Sequence, residues 1–217
     1  MAVKKPRLLV YVIACMIVGV SAAAERSEIG WAELIPPQSA IEDPFTELGP
    51  EQLDALRKIL RFEASKDTTS SFITPEEAEK LRSQLSGDGL DVDRLFEQRE
   101  IIIQERRAQS TAVNPNVIGI DVRIPGYVLP LEFKGKKVTS FLLVPYAGAC
   151  IHTPPPPANQ MVHVNYPDGI EVSGLFTPVW IEGKMIAKFS VQNVGLSDGG
   201  AQVEVGYEMS PEDIYLY

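Results

Sequence analysis

The feature that most constrains this chain is a change of hydrophobic period near its middle. Between residues 50 and 110 apolar side chains recur at helical spacing; from about Val117 they alternate with polar ones, punctuated by Gly and Pro. The first period builds helices with one buried face, and the second builds strands with one buried side. A run of helices followed by a run of strands reads as α+β.

The helical part is legible in detail. Pro50 suits the first position of a helix, and Leu53, Leu56, Ile59 and Leu60 then share one apolar face. Thr74-Pro75-Glu76-Glu77 has the layout of a capping box, Ala78, Leu81 and Leu85 follow on one face, and Gly87 and Gly89 end the helix. Asp91 predicts the cap of a third helix that buries Val92, Leu95, Phe96, Ile102 and Ile103. Glu97, Arg99, Glu100, Glu105, Arg106 and Arg107 form its solvated side.

Strands are predicted at 117–133, 137–146, 149–152, 161–166, 175–191 and 201–208. Pro125-Gly126 predicts a bend or bulge, Gly135-Lys136 a turn, and Trp180 to Met185 a hairpin tip. The expected architecture is a helical segment, 50–112, packed on a small antiparallel OB-like β-barrel over 113–217, of the oligonucleotide/oligosaccharide-binding type. Residues 25–49 form an extended lead-in whose Trp31 is expected to dock on the main body.

Residues 1–24 read as an address. Lys4, Lys5 and Arg7 precede an apolar run from Leu8 to Val20, and Ser21-Ala22-Ala23-Ala24 supplies an Ala-x-Ala site. This is the pattern of a secretory signal peptide cleaved after Ala24. The run falls short of the roughly 20 residues that span a bilayer, so no stable membrane insertion is expected after cleavage. Val12-Ile13-Ala14-Cys15 loosely fits a lipid-attachment box, but Met16-Ile17-Val18-Gly19-Val20 after Cys15 makes a poor mature terminus. A periplasmic location is expected. Cleavage leaves Cys150 as the single cysteine, so no internal disulfide can form.

Composition narrows the function. With 45% hydrophobic and 23% charged residues over 217 positions, the chain is neither disordered, collagen-like nor a multi-span membrane protein. A net charge of −9 repels phosphate backbones, so no nucleic-acid partner is expected.

The chemistry-bearing residues cluster. Cys150, His152 and His163, the one remaining cysteine and both histidines, fall within one short stretch that also holds Met161. In a strand, positions two apart share a face, so Cys150 pairs with His152 and Met161 with His163. If 149–152 and 161–166 pair as an antiparallel hairpin with His152 opposite Met161, Cys150 lies opposite His163. Opposed Cβ atoms are then roughly 4.5–5.5 Å apart, close enough to chelate one ion. Thiolate and imidazole suit Zn²⁺; a set with Met161 added also suits copper. The alternatives are core packing of a buried cysteine with hydrogen-bonded histidines, or a reactive thiol at Cys150 served by a histidine. Thr153 followed by Pro154-Pro155-Pro156-Pro157 forms a stiff segment that either rims the site or holds the hairpin register.

The run Val122-Arg123-Ile124-Pro125-Gly126-Tyr127-Val128-Leu129-Pro130-Leu131-Glu132 and the run Phe141-Leu142-Leu143-Val144-Pro145-Tyr146 carry a family resemblance. Gly148-Ala149-Cys150-Ile151-His152 and Pro154-Pro155-Pro156-Pro157-Ala158-Asn159-Gln160 extend it. These stretches resemble the bacterial exported domain-of-unknown-function family 3299, with Trp31 and Leu34-Ile35-Pro36 similar to its lead-in. The resemblance implies a periplasmic accessory protein of an ABC-type transport system, with a link to zinc. The expected function is therefore metal binding, zinc first and copper second, for an ABC-type or other envelope partner. A non-catalytic interaction module of the envelope is the alternative, and a Cys/His thiol enzyme the third reading.

Overall fold

The computed structural model describes residues 26–65, 73–149, 155–196 and 199–216. Residues 1–24, expected to be a signal peptide, lie outside them. So do Cys150, His152 and most of the strand expected at 149–152; Ala149 ends a turn. Among the described residues no helix is long and apolar enough to cross a membrane.

Among the described residues three α-helices form as their caps dictate: α1 Pro50–Ala64, α2 Pro75–Gly87 and α3 Val92–Thr111. At α2, Thr74 Oγ1 accepts from Glu77 N at 3.2 Å while Glu77 accepts from Thr74 N at 2.9 Å, the predicted capping box. Asp91 caps α3 by accepting from Arg94 N at 3.1 Å. Ala55, Leu56, Ile59, Leu85, Val92 and Leu95 form a core of their own. Ile103, expected inside, is 42% exposed. Ile101, Ile102 and Ile103 point three ways on a helix, and only Ile102 turns inward.

Among the described residues six strands form one mixed sheet: β1 Ser27–Glu28, β2 Asp121–Lys134, β3 Lys137–Val144, β4 Val162–Glu171, β5 Thr177–Leu196 and β6 Gly199–Leu216. The order is β1-β2-β3-β4-β6-β5, and β2 also pairs with β5. The pairings of β2, β3, β4, β6 and β5 therefore return to their start. Most are antiparallel, but β1 runs parallel to β2 and β4 parallel to β6, so the sheet is mixed rather than antiparallel. Val122, Ile124, Val128, Phe141, Leu143, Val162, Val164, Ile181, Tyr207 and Met209 belong to one core cluster on the inward side.

Two turn expectations are corrected. Trp180 to Met185 is no hairpin tip; β5 runs on to Leu196 and pairs antiparallel with β6 as far as Leu196 and Gly199. Gly183 marks a bulge: a Cβ there would lie 3.0 Å from Pro211 Cα, so glycine lets β6 come close. Pro125-Gly126 also stays in regular register with β5, and the irregularity lies at 130–133. Gly126 makes room for a neighbour, since its Cβ would meet Leu143 at 2.6 Å and the Trp31 ring at 3.0 Å. Trp31 does dock on the body, its indole Nε1 donating to Pro125 O at 2.8 Å.

A buried polar clasp joins lead-in, helices and strands. The Tyr207 hydroxyl donates to Leu34 O and accepts from Asn114 N, both at 2.6 Å. Burial pushes its phenol above the ordinary tyrosine value, which keeps the donor protonated. Asn114 Nδ2 donates to Glu33 O at 2.7 Å, and Asn159 Nδ2 reaches Gln109 O and Ala112 O at 2.8 and 3.0 Å. The helices meet the strands through this clasp at the C-terminal end of α3.

Candidate functional site

The two described site candidates are Met161, just ahead of β4, and His163 within it. Val162 and Val164 join the inward cluster, so Met161 and His163 take the other side. Met161 is 1% exposed and packs in an apolar group with Leu129, Leu142, Ala149, Val194, Val203 and Val205. His163 is half-buried. Its Nε2 lies 3.0 Å from Ser140 Oγ, its Nδ1 lies 3.4 Å from Glu208 Oε2, and Lys188 Nζ donates to Glu208 Oε2 at 2.6 Å. Strands β3, β4, β5 and β6 thus each give one side chain to a polar row.

The electrostatics of the row are consistent. The Lys188 ammonium hydrogen-bonded to Glu208 holds that carboxyl below the usual carboxylate range, and His163 adds to the effect. An ionised carboxylate at Nδ1 favours the tautomer protonated there, leaving Nε2 to accept the Ser140 hydroxyl. Serine, histidine and glutamate in that contact order also describe a nucleophile, a base and an orienter. Two facts speak against catalysis by Ser140: it is 7% exposed in the middle of a strand, and Lys188 competes for the carboxylate.

The structure keeps Met161 and His163 on one strand face but changes the expected pairing. His163 is flanked by Leu142 of β3 and Glu208 of β6, so both positions beside it are taken. A hairpin with 149–152 as the neighbouring strand is not the pairing β4 makes. The reason is apolar matching: Val162 and Val164 need neighbours with inward side chains, which Leu143, Phe141, Tyr207 and Met209 supply. Ala149, the residue before Cys150, still packs in the same group as Met161. Among the described residues no group of three or more His, Cys, Asp or Glu side chains could hold a metal ion.

Several residues escaped the sequence reading. Ser140, Glu208 and Lys188 come from three strands, and no local spacing announces them. Asn159 and Gln160 follow the proline run and prove to be clasp residues; Gln160 Nε2 donates to Trp31 O at 2.8 Å. Polar side chains after a proline run, ahead of an apolar strand, were the only available signal.

The chain matches the family described as "Protein of unknown function (DUF3299)" over residues 31–216. It belongs to the DUF3299 family. The match spans both the helical unit and all strands except β1, so the two units are one family module. A DUF3299 family protein from Pseudomonas aeruginosa PAO1, known from its crystal structure, is 26% identical to this chain. That similarity covers 89% of this chain and 97% of the other, with a TM-score of 0.47. No curated protein matches the chain.

Proposed function

We propose that this DUF3299 member is an exported, periplasmic accessory protein that binds a transition metal, zinc first and copper second, for an ABC-type transport system. The leader pattern of residues 1–24 supports export. The site joins His163 with Cys150 and His152, with Met161 at its edge. The observation that carries this reading is the Glu208 carboxylate at His163 Nδ1. Metal-ligating histidines commonly have a carboxylate on the second nitrogen, which fixes the tautomer and strengthens the ligand. His163 fits that role, and a metal at Nε2 would replace the Ser140 hydroxyl. Ala149, the residue before Cys150, packs in the Met161 group. The closed circuit of strand pairings, with β4 parallel to β6, supports the finer description of the sheet as an OB-like barrel.

Calorimetric titration of the mature protein with Zn²⁺ tests the reading. Uptake at micromolar concentration is expected, with proton release and weaker binding toward pH 5 as Cys150 is protonated. Cys150→Ser should cost the most affinity and His163→Ala less; Met161→Leu should matter only for copper. Protein that takes up neither metal overturns the proposal.

A second reading, a non-catalytic interaction module that docks through the strands, is favoured by Phe189 and Val191. They stand two apart in β5 and are 57% and 50% exposed. Acidic substitution of both should abolish co-purification with an envelope partner while leaving metal uptake intact.

A further inference from the structure

The helical unit leaves an apolar groove of about 450 Å³ between α1 and α3. Leu53 and Leu60 of α1 and Phe96 and Ile103 of α3 line it, and Arg57, Arg99 and Arg106 stand around it. We propose that this groove docks an amphipathic helix of a partner protein, its apolar face down and its flanks acidic. The surface is built from other elements than the His163 face, so the inference does not rest on the metal reading.

Charge selects the occupant. The chain as a whole carries −9, yet every charged side chain lining this groove except Asp43 is an arginine. Arg57 and Arg99 are 59% and 40% exposed, and their own contacts are surface pairs with Asp54 and Glu100. Such screened pairs give way to an incoming carboxylate at little cost. Arg57 and Arg99 come from opposite walls and are the cations open to a partner; Arg106, two turns from Arg99 on α3 and roughly 10 Å along its axis, is paired with Asp43 at 2.5 Å. A lipid or fatty acid has one head group and is best served by one cluster of cations. Cations spread along both walls suit carboxylates spread along both flanks of a helix, with leucine-like anchors between them.

Two other occupants are disfavoured on the same ground. The apolar run of residues 8–20 follows Lys4, Lys5 and Arg7, which would meet arginines. A second copy using the same face about a two-fold axis would set arginine rims against each other.

The test is selection of a displayed pool of 20-residue amphipathic helices, with leucines on one face and randomised flanks, on the whole mature protein. Enriched peptides should carry Asp and Glu on both flanks and bind at micromolar concentration. R57E/R99E should lose at least tenfold in affinity for them and select basic flanks instead, whereas R57K/R99K should bind within about threefold of the parent. Ile103→Glu should abolish binding, with thermal unfolding of all variants unchanged. Enrichment of basic or neutral flanks, no enrichment, or an acidic peptide that R57E/R99E binds equally well overturns the proposal. So does capture of phosphatidylglycerol vesicles, lost in R57E/R99E, when no peptide is enriched, since the occupant is then a lipid.

Discussion

The strand unit and the helical unit bury their apolar side chains in different ways. Inward residues such as Val122, Phe141, Leu143, Val162 and Ile181 are all 0% exposed. In the helices only Ala55, Leu56, Ile59, Leu85, Val92 and Leu95 make a shared buried group, while Ile101 and Ile103 stand 55% and 42% exposed. Topology explains the contrast. Pairings that return to β2 leave the inward face no open side, whereas three helices joined end to end cannot cover one another all round. Stability should therefore reside in the strands, while the helical unit keeps an open apolar groove between α1 and α3.

The sharpest way to break that contrast is truncation on each side. Phe141→Ala removes a fully buried ring and should cost about 3–5 kcal/mol in urea unfolding. Ile103→Ala, at the groove, should cost less than about 1 kcal/mol, since little buried area is lost. Equal costs would mean that the helical unit is sealed in solution, and the groove with it.

Next comes the clasp that joins the two units. Tyr207→Phe deletes one hydroxyl but leaves Asn114 N without an acceptor and Leu34 O without a donor. The expected loss is about 1–3 kcal/mol, the penalty for orphaned buried groups. Hydrogen exchange should rise at Asn114 and along the lead-in. A loss under about 0.5 kcal/mol would show that water replaces the hydroxyl and that the units are joined loosely.

What the sequence disclosed follows the same division. Helix ends were legible because caps are local: Thr74, Glu77 and Asp91 act within one turn of where they stand. The strands were legible as a period but not as a topology, since alternation is silent about neighbours. Gly183 and Pro125-Gly126 misled for one physical reason. A glycine in a strand marks a turn or a close approach of another segment, and which of these applies depends on long-range contacts with Pro211, Leu143 and Trp31. The His163 face was half legible. The shared side of Met161 and His163 follows from spacing, but Ser140, Lys188 and Glu208 arrive from strands that only the fold brings together.

A smaller effect checks the local side of that division. Thr74→Ala removes the acceptor for Glu77 N and should cost about 1 kcal/mol. Circular dichroism should show the loss as fraying of α2, with unfolding of the strands unmoved. If the strands lose stability equally, the two units fold as one body and the contrast between them is only one of packing.

The smallest expected effect concerns the polar row on the outer face. In the folded chain Lys188 holds the Glu208 carboxyl below its ordinary value, with His163 assisting. A carboxyl with a depressed folded value stabilises the fold above its unfolded value, near 4.3 for glutamate, and loses that contribution as pH falls through the folded one. Glu208→Gln should therefore cost roughly 0.5 kcal/mol at pH 7, the scale of a screened pair, and almost nothing well below pH 4. The gap should shrink in molar salt, because Lys188 is 57% exposed. Urea unfolding of parent and variant at several pH values measures it. A gap that stays constant across pH would mean that Glu208 is held by shape and not by charge. The carboxylate would then have no electrostatic hold on the His163 ring, and the support for the proposed metal at Nε2 would go with it.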